Sequence, residues 1–217
     1  MVISHKYKFV FFHTPKTGGS SVNQSLYESG HRENYVHGDG FIENIDENHV
    51  ECSNINQHTR PVELFGSMPT TDWDDYFKFA FVRNPYSLEV SKYFYYIKEA
   101  ESEIQDSFHD YCVKTRDDCE TFDDFVRYEK YEYDYSFKYY LCKNNELMVD
   151  YVGKLETLCR DYKIITTACG IDSKLIDVRV NESKHKHYTE YYNDETRQIV
   201  AEKYAKDIEY FGYEFGD

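Results

Sequence analysis

Three short runs punctuate the chain as strands. Tyr7-Lys8-Phe9-Val10-Phe11-Phe12 breaks off at His13-Thr14-Pro15, Phe77-Lys78-Phe79-Ala80-Phe81-Val82 breaks off at Arg83-Asn84-Pro85, and Val149-Asp150-Tyr151-Val152-Gly153 forms the third. Runs of this length, rich in aromatic and β-branched side chains, predict strands buried within a sheet. Behind each run the spacing changes to that of a helix. Val22 and Leu26 fall four residues apart behind Gly18-Gly19, with Gly30 as a stop. A helix through Tyr86 to Ile97 follows Asn84, which can cap it, and Pro85, which suits the first helical position. Leu158, Tyr162, Ile165 and Cys169 share one helical face. Thr121-x-x-Asp124 predicts a helix start ahead of Phe125 and Val126, and Asn193-Asp194 caps a final helix that turns Ile199, Val200, Tyr204, Ile208 and Phe211 inward. Residues from about His31 to Thr71 are polar and weakly periodic, a composition that suits either long loops near a substrate or a variable insertion. Alternating strands and helices predict an α/β fold with a central parallel β-sheet flanked by helices.

Length changes this picture little. With 217 residues and 41% hydrophobic content the chain suits one sizeable core, so residues 1–217 are expected to form a single domain. Charge excludes more. A formal net charge of -15 removes the surplus of Lys and Arg on which non-specific attraction to nucleic acid or an anionic membrane depends, so an anionic ligand needs a local site. No window reaches the apolar length of a membrane span, and residues Met1 to Phe12 lack the pattern of a signal peptide, from which a cytoplasmic location is expected. Six cysteines at scattered spacings contain no C-x-x-C pair, which points to reduced, mostly buried thiols, with a Cys112–Cys119 bridge left open.

Candidate chemistry sits where two of the strands end. Pro15-Lys16-Thr17-Gly18-Gly19 lies between a strand and a helix, where unpaired backbone N–H groups and the helix dipole make an anion site, and Lys16 adds a full charge. The nucleoside-triphosphate loop G-x-x-x-x-G-K-[ST] is absent, because this lysine precedes its glycines. Arg83 stands at the carboxyl end of the second strand, the edge at which open α/β sheets bind ligands, and Ser91 lies about two helical turns beyond. An arginine and a hydroxyl together can hold a second phosphate.

His13-Thr14-Pro15-Lys16-Thr17-Gly18-Gly19-Ser20-Ser21 resembles the 5′-phosphosulfate loop of sulfotransferases that use 3′-phosphoadenosine 5′-phosphosulfate (PAPS), and Arg83 with Ser91 resembles their 3′-phosphate motif. Phe77 to Tyr86, Tyr151 to Glu156 and Asp207 to Tyr213 extend the likeness over nearly the whole chain, toward the carbohydrate enzymes of the heparan sulfate 2-O- and chondroitin type. The resemblance implies the P-loop-like sulfotransferase fold and in-line transfer of a sulfonyl group to a hydroxyl of an acceptor, a glycan or a small metabolite. Adenosine 3′,5′-bisphosphate (PAP) would be the product, and no metal would be needed. It also implies roles. Pro15, Lys16, Thr17, Gly18, Gly19, Ser20 and Ser21 would hold the 5′ end, with Lys16 stabilising the bridging oxygen, and Arg83 and Ser91 would hold the 3′-phosphate. Among nine histidines, His58 occupies the position that resembles the family's base, while His13 would orient the loop. His185 and His187, with Lys184 and Lys186, fall where relatives carry a loop near the nucleotide. One departure stands out: Leu88 occupies a position where many relatives carry arginine, and Glu89 follows it, a carboxylate that a nearby phosphate site tolerates only if it points away. Two other readings remain: a nucleotide-dependent kinase of related fold, and a non-catalytic PAPS- or nucleotide-binding protein.

Overall fold

The computed structural model describes residues 1–29, 35–37, 41–43, 58–66, 68, 70–103, 106–128, 137–176 and 185–217. Gly30, Cys52 and Lys184 lie outside them. In chain order the strands are β1 (Val2–Ser4), β2 (Phe9–Phe12), β3 (Tyr35–His37), β4 (Phe41–Glu43), β5 (Phe77–Val82), β6 (Cys142–Lys143), β7 (Glu146–Leu147) and β8 (Tyr151–Lys154). The helices are α1 (Gly19–Glu28), α2 (Pro61–Phe65), α3 (Thr70–Asp75), α4 (Pro85–Glu99), α5 (Ser107–Asp118), α6 (Phe122–Tyr128), α7 (Phe137–Leu141), α8 (Leu158–Ala168), α9 (Asp194–Lys203) and α10 (Ala205–Phe211). They form two compact units, Met1–Val82 with Phe137–Val180, and Arg83–Ser136 with Asn181–Asp217.

The first unit is built on a six-stranded sheet in the order β4-β3-β1-β2-β5-β8. The three runs of the sequence are its parallel half: Phe11 of β2 lies beside Phe79 of β5, and Phe81 of β5 beside Gly153 of β8. The other half is antiparallel, with β1 pairing β2 and β3, and β3 pairing β4. That half was not foreseen, because strands of three residues leave no alternation long enough to detect.

Side chains alternate across the sheet, and each face carries its own helices. Phe9, Phe11, Phe79 and Phe81 pack with Val22 and Leu26 of α1 and Tyr162 and Ile165 of α8, all fully enclosed. Burying an aromatic or aliphatic side chain of this size stabilises by roughly 1.5–3 kcal/mol, so this layer is the main cohesive element of the unit. On the opposite face Phe12 meets Trp73 of α3, which also receives the edge of Phe65. Lys78 emerges on that face too. A buried ammonium needs partners, and its Nζ donates to the carbonyls of Trp73 at 2.9 Å and Tyr76 at 2.5 Å, with Asp150 Oδ2 3.0 Å away. The cation thus caps the end of α3, where the helix dipole is negative.

The second unit is helical. Tyr86, Tyr96, Phe122, Phe125, Val200 and Tyr204 form its core. Asn84 caps α4 by accepting from the Tyr86 amide at 3.0 Å, and Thr121 and Asp124 exchange bonds at the start of α6, as the sequence predicts. The single final helix expected from Asn193 is instead two, α9 and α10, broken at Tyr204 (φ -110, ψ 26). The Tyr204 ring is fully buried, and its hydroxyl donates to Glu89 Oε1 at 2.5 Å. Lys92 at 3.1 Å and Lys203 at 3.2 Å complete the shell around that carboxylate. Burial would raise the Glu89 pKa, but the two lysines and the tyrosine outweigh it and hold the carboxyl at about 2. Leu88 is a core residue of the same unit.

Cys112 and Cys119 are both free and buried, so the bridge left open by the sequence is not formed. Cys142 and Cys169 are half-buried and Cys159 is exposed, less buried than expected. Among the described residues no helix is long and apolar enough to cross a membrane.

Candidate nucleotide and sulfonyl-transfer site

β2 delivers the chain into the glycine loop at the carboxyl edge of the parallel strands. The loop is shaped by two residues in the left-handed region, Lys16 at φ 63 and Gly18 at φ 83. Glycine adopts that conformation freely, whereas lysine there is held at a steric cost of roughly 1–2 kcal/mol. The loop closes on itself: the Thr17 hydroxyl donates to the Thr14 carbonyl at 2.8 Å, and the Gly18 carbonyl accepts from Ser21 N at 3.0 Å and Val22 N at 3.3 Å as α1 begins. Pro15 and Thr17 are buried, Lys16 and Ser21 half-buried, and Ser20 exposed.

Both glycines are demanded by what lies above them. A Cβ on Gly18 would fall 2.7 Å from Leu155 Cδ1, and one on Gly19 would fall 1.9 Å from His13 Cδ2. Leu155 follows the end of β8, where Asp161 anchors the turn by accepting from Lys154 N at 2.9 Å and Thr157 Oγ1 at 2.7 Å. The carboxyl ends of β2 and β8 therefore meet at the glycines.

His13 lies flat against Phe11 (19° between ring planes), and its ring centroid is 4.9 Å from that of His58. The His58 Nδ1–H donates to the His13 carbonyl at 2.9 Å, which leaves the lone pair of the neutral ring on Nε2. Burial lowers the His58 pKa, with the bond to His13 opposing in part, and burial followed by the charges of His58 and Lys16 drives the His13 pKa well below its usual 6.5. Both rings are thus neutral near pH 7. His13 Nδ1 and Thr14 Oγ1 are enclosed without a hydrogen-bond partner among the described residues. Enclosed polar atoms in this state are costly, and a role in handling a reacting group is one reason for a protein to keep them.

The helix starts differ in their electrostatics. In this acidic chain α2, α3, α5, α6, α8, α9 and α10 each carry Asp or Glu in the first turn, which offsets the dipole. α1, α4 and the five-residue α7 do not, and of these α1 and α4 are the two that start behind the glycine loop and behind Arg83, where a positive helix end favours anions.

In the second unit Arg83 Nε donates to Ser87 Oγ at 3.0 Å. Ser91, which is buried, lies one turn beyond Ser87 on the same face of α4. Ser87 emerges only from the structure, and its four-residue spacing from both Arg83 and Ser91 is the one signal for it in the sequence. Glu89, whose position near this motif looked awkward, is turned to Lys92, Lys203 and Tyr204 instead. His185 stacks on Phe94 at 12° with Nδ1 bonded to the Lys186 carbonyl at 2.7 Å, His187 bonds Thr189 at 2.8 Å, and Lys186 pairs with Glu190 at 3.7 Å.

No curated protein sequence matches the chain significantly. Among solved structures it is similar to mouse sulfotransferase SULT7A1 complexed with PAP, at a TM-score of 0.53 and 13% identity over 95% of this chain and 85% of that one, a likeness of fold. The model of the Sulfotransferase family matches residues 1–214, and the chain belongs to that family.

Proposed function

We propose that the chain transfers the sulfonyl group of PAPS to a hydroxyl of a carbohydrate acceptor by in-line displacement and releases PAP, with residues 1–217 acting as one catalytic domain. The observation that carries this reading is the loop of residues 13–21: a left-handed Lys16 and two sterically obligatory glycines ahead of a helix start free of carboxylates. The PAP of the mouse structure is the product this reading expects.

Pro15 to Ser21 would hold the 5′ end of the donor, and Arg83 and Ser91 its 3′-phosphate. When bound, PAPS supplies an electrophilic sulfur with a phosphate as leaving group. Transfer of this kind asks little covalent work of the protein, so positioning and charge stabilisation dominate. Lys16 would supply an ammonium to stabilise the negative charge that grows on the bridging oxygen. His58 accepts the proton of the acceptor hydroxyl at Nε2, because its Nδ1–H is committed to the His13 carbonyl. The carbohydrate assignment rests on the likeness of the motifs to glycan enzymes. A chain of net charge -15 suits a sparsely charged sugar better than a densely sulfated polymer.

Calorimetry tests the donor. Tight binding of PAP that is indifferent to magnesium and weakened in Arg83→Ala is expected; a preference for ATP with magnesium would replace this reading with a kinase. A second expectation concerns the base. His58→Ala should lower kcat about a hundredfold, at the lower end for general-base catalysis because water can take the proton, and should leave PAP affinity unchanged. The pH profile carries the sign. Only neutral His58 can accept a proton, so kcat/KM falls as pH drops through its pKa; since burial sets that pKa below 6.5, the acid limb should have its midpoint below 6.5 and vanish in His58→Ala. Unchanged turnover in the variant would remove His58 from the role.

A further inference from the structure

We infer that Ser87 is a positioning residue for the 3′-phosphate site, acting through Arg83 rather than on the nucleotide. The inference deepens the functional reading above and rests on the assignment of Arg83 to the 3′-phosphate.

An arginine binds phosphate best with two parallel N–H donors, which requires the plane of the guanidinium to be fixed before the anion arrives. Arg83 lies outside α4, ahead of the cap Asn84, so the regular geometry of the helix does not set its side chain. Ser87 supplies the constraint. Its hydroxyl oxygen accepts the Nε hydrogen at 3.0 Å, and Nε lies on the side of the guanidinium opposite its outer edge. Holding that hydrogen fixes the plane in which the Nη hydrogens point.

The rest of α4 keeps this face compatible with an anion. Asn84 anchors the helix start, its side chain accepting from Tyr86 N at 3.0 Å and donating to the Glu214 carbonyl at 2.9 Å. Leu88 is buried in the hydrophobic core, and Glu89 is enclosed by two lysines and a tyrosine, so the two side chains that follow Ser87 in sequence are drawn away from it. Arg83, Ser87 and Ser91 follow at four-residue steps, and the first turn of the helix contributes no carboxylate to compete for the guanidinium. A serine is short enough to accept from Nε without adding charge.

The test compares PAP with adenosine 5′-monophosphate, which lacks the 3′-phosphate, by calorimetry on wild type, Ser87→Ala, Ser87→Thr and Arg83→Ala. Ser87→Ala should weaken PAP about five- to tenfold, the worth of one ordinary hydrogen bond because the lost contact orients Arg83 and does not touch the phosphate itself, with the monophosphate unchanged. Ser87→Thr, which keeps the hydroxyl, should restore PAP affinity to within about twofold. A purely structural role would weaken both ligands alike or lower the melting temperature without ligand selectivity, and either result overturns the inference. So does wild-type PAP affinity in Ser87→Ala when Arg83→Ala has lost it. If Arg83→Ala itself binds PAP normally, the assignment of Arg83 fails, and the role of Ser87 with it.

Discussion

Lys16→Ala is expected to lower kcat about a thousandfold while changing PAP affinity only a few-fold. Removing one donor aimed at developing charge costs on the order of 10²–10³ in rate in a water-poor site, and a full ammonium belongs at the upper end. In the barrier this amounts to about 4 kcal/mol. In the proposed site the nucleotide would keep its other holds, the backbone of the loop and the start of α1, so its ground-state binding should suffer little. Folding is a separate matter, and the geometry separates it. Lys16 already occupies a left-handed conformation that alanine tolerates no better and no worse, so the melting temperature of Lys16→Ala should match wild type. Arg83→Ala provides the contrast, with binding lost and the turnover of saturated enzyme largely kept. Single-turnover kinetics beside calorimetry reads both quantities. If the two variants lose binding and turnover in the same proportion, the division of labour between the 5′ and 3′ ends is wrong.

What was legible in the sequence follows from how far each signal reaches along the chain. β2 and β5 are buried along almost their whole length and appear as continuous apolar runs, β8 is a half-buried strand at the end of the sheet order, and the cap of the helix behind β5 is local, from Asn84 to the Tyr86 amide. β1 is three residues, Val2-Ile3-Ser4, and its identity as a strand lies in its pairing with Phe9, Val10 and Phe11 rather than in its own pattern. The break at Tyr204 is hidden for a similar reason. The helical spacing runs through it undisturbed, while its hydroxyl reaches Glu89, 115 residues earlier. Glu89 looked like a threat to the phosphate motif because its partners, Lys203 and Tyr204, are distant in sequence.

The site divides along the same line. The loop and the Arg83–Ser91 spacing are local, and both could be read directly. The bond that selects the His58 tautomer joins a side chain to a backbone carbonyl 45 residues away, and no residue pattern records a carbonyl. Gly19 is a mixed case: the sequence shows that a glycine is present, but not that the ring of His13 requires it.

That requirement makes Gly19→Ala the most demanding test of the loop. Its φ is not in the left-handed region and it opens α1, so on backbone grounds alone alanine should stabilise the helix by up to about 1 kcal/mol. Packing predicts the opposite. The added Cβ would sit 1.9 Å from Cδ2, 2.2 Å from Nε2 and 2.7 Å from Cγ of His13, deep inside contact distance. His13 has little room to give way, stacked on Phe11 with His58 beside it. Overpacking of this kind costs about 3 kcal/mol, so the clash outweighs the helical gain and the urea midpoint should fall. Turnover should fall further than stability implies, because displacing His13 also displaces the carbonyl that holds the His58 ring. The double variant His13→Ala with Gly19→Ala removes the overlapping ring, and it should recover most of the lost stability as a coupling between the two positions. Gly19→Ala as stable as wild type would mean that His13 does not rest on the glycine, and the account of how the loop orients His58 would fall with it.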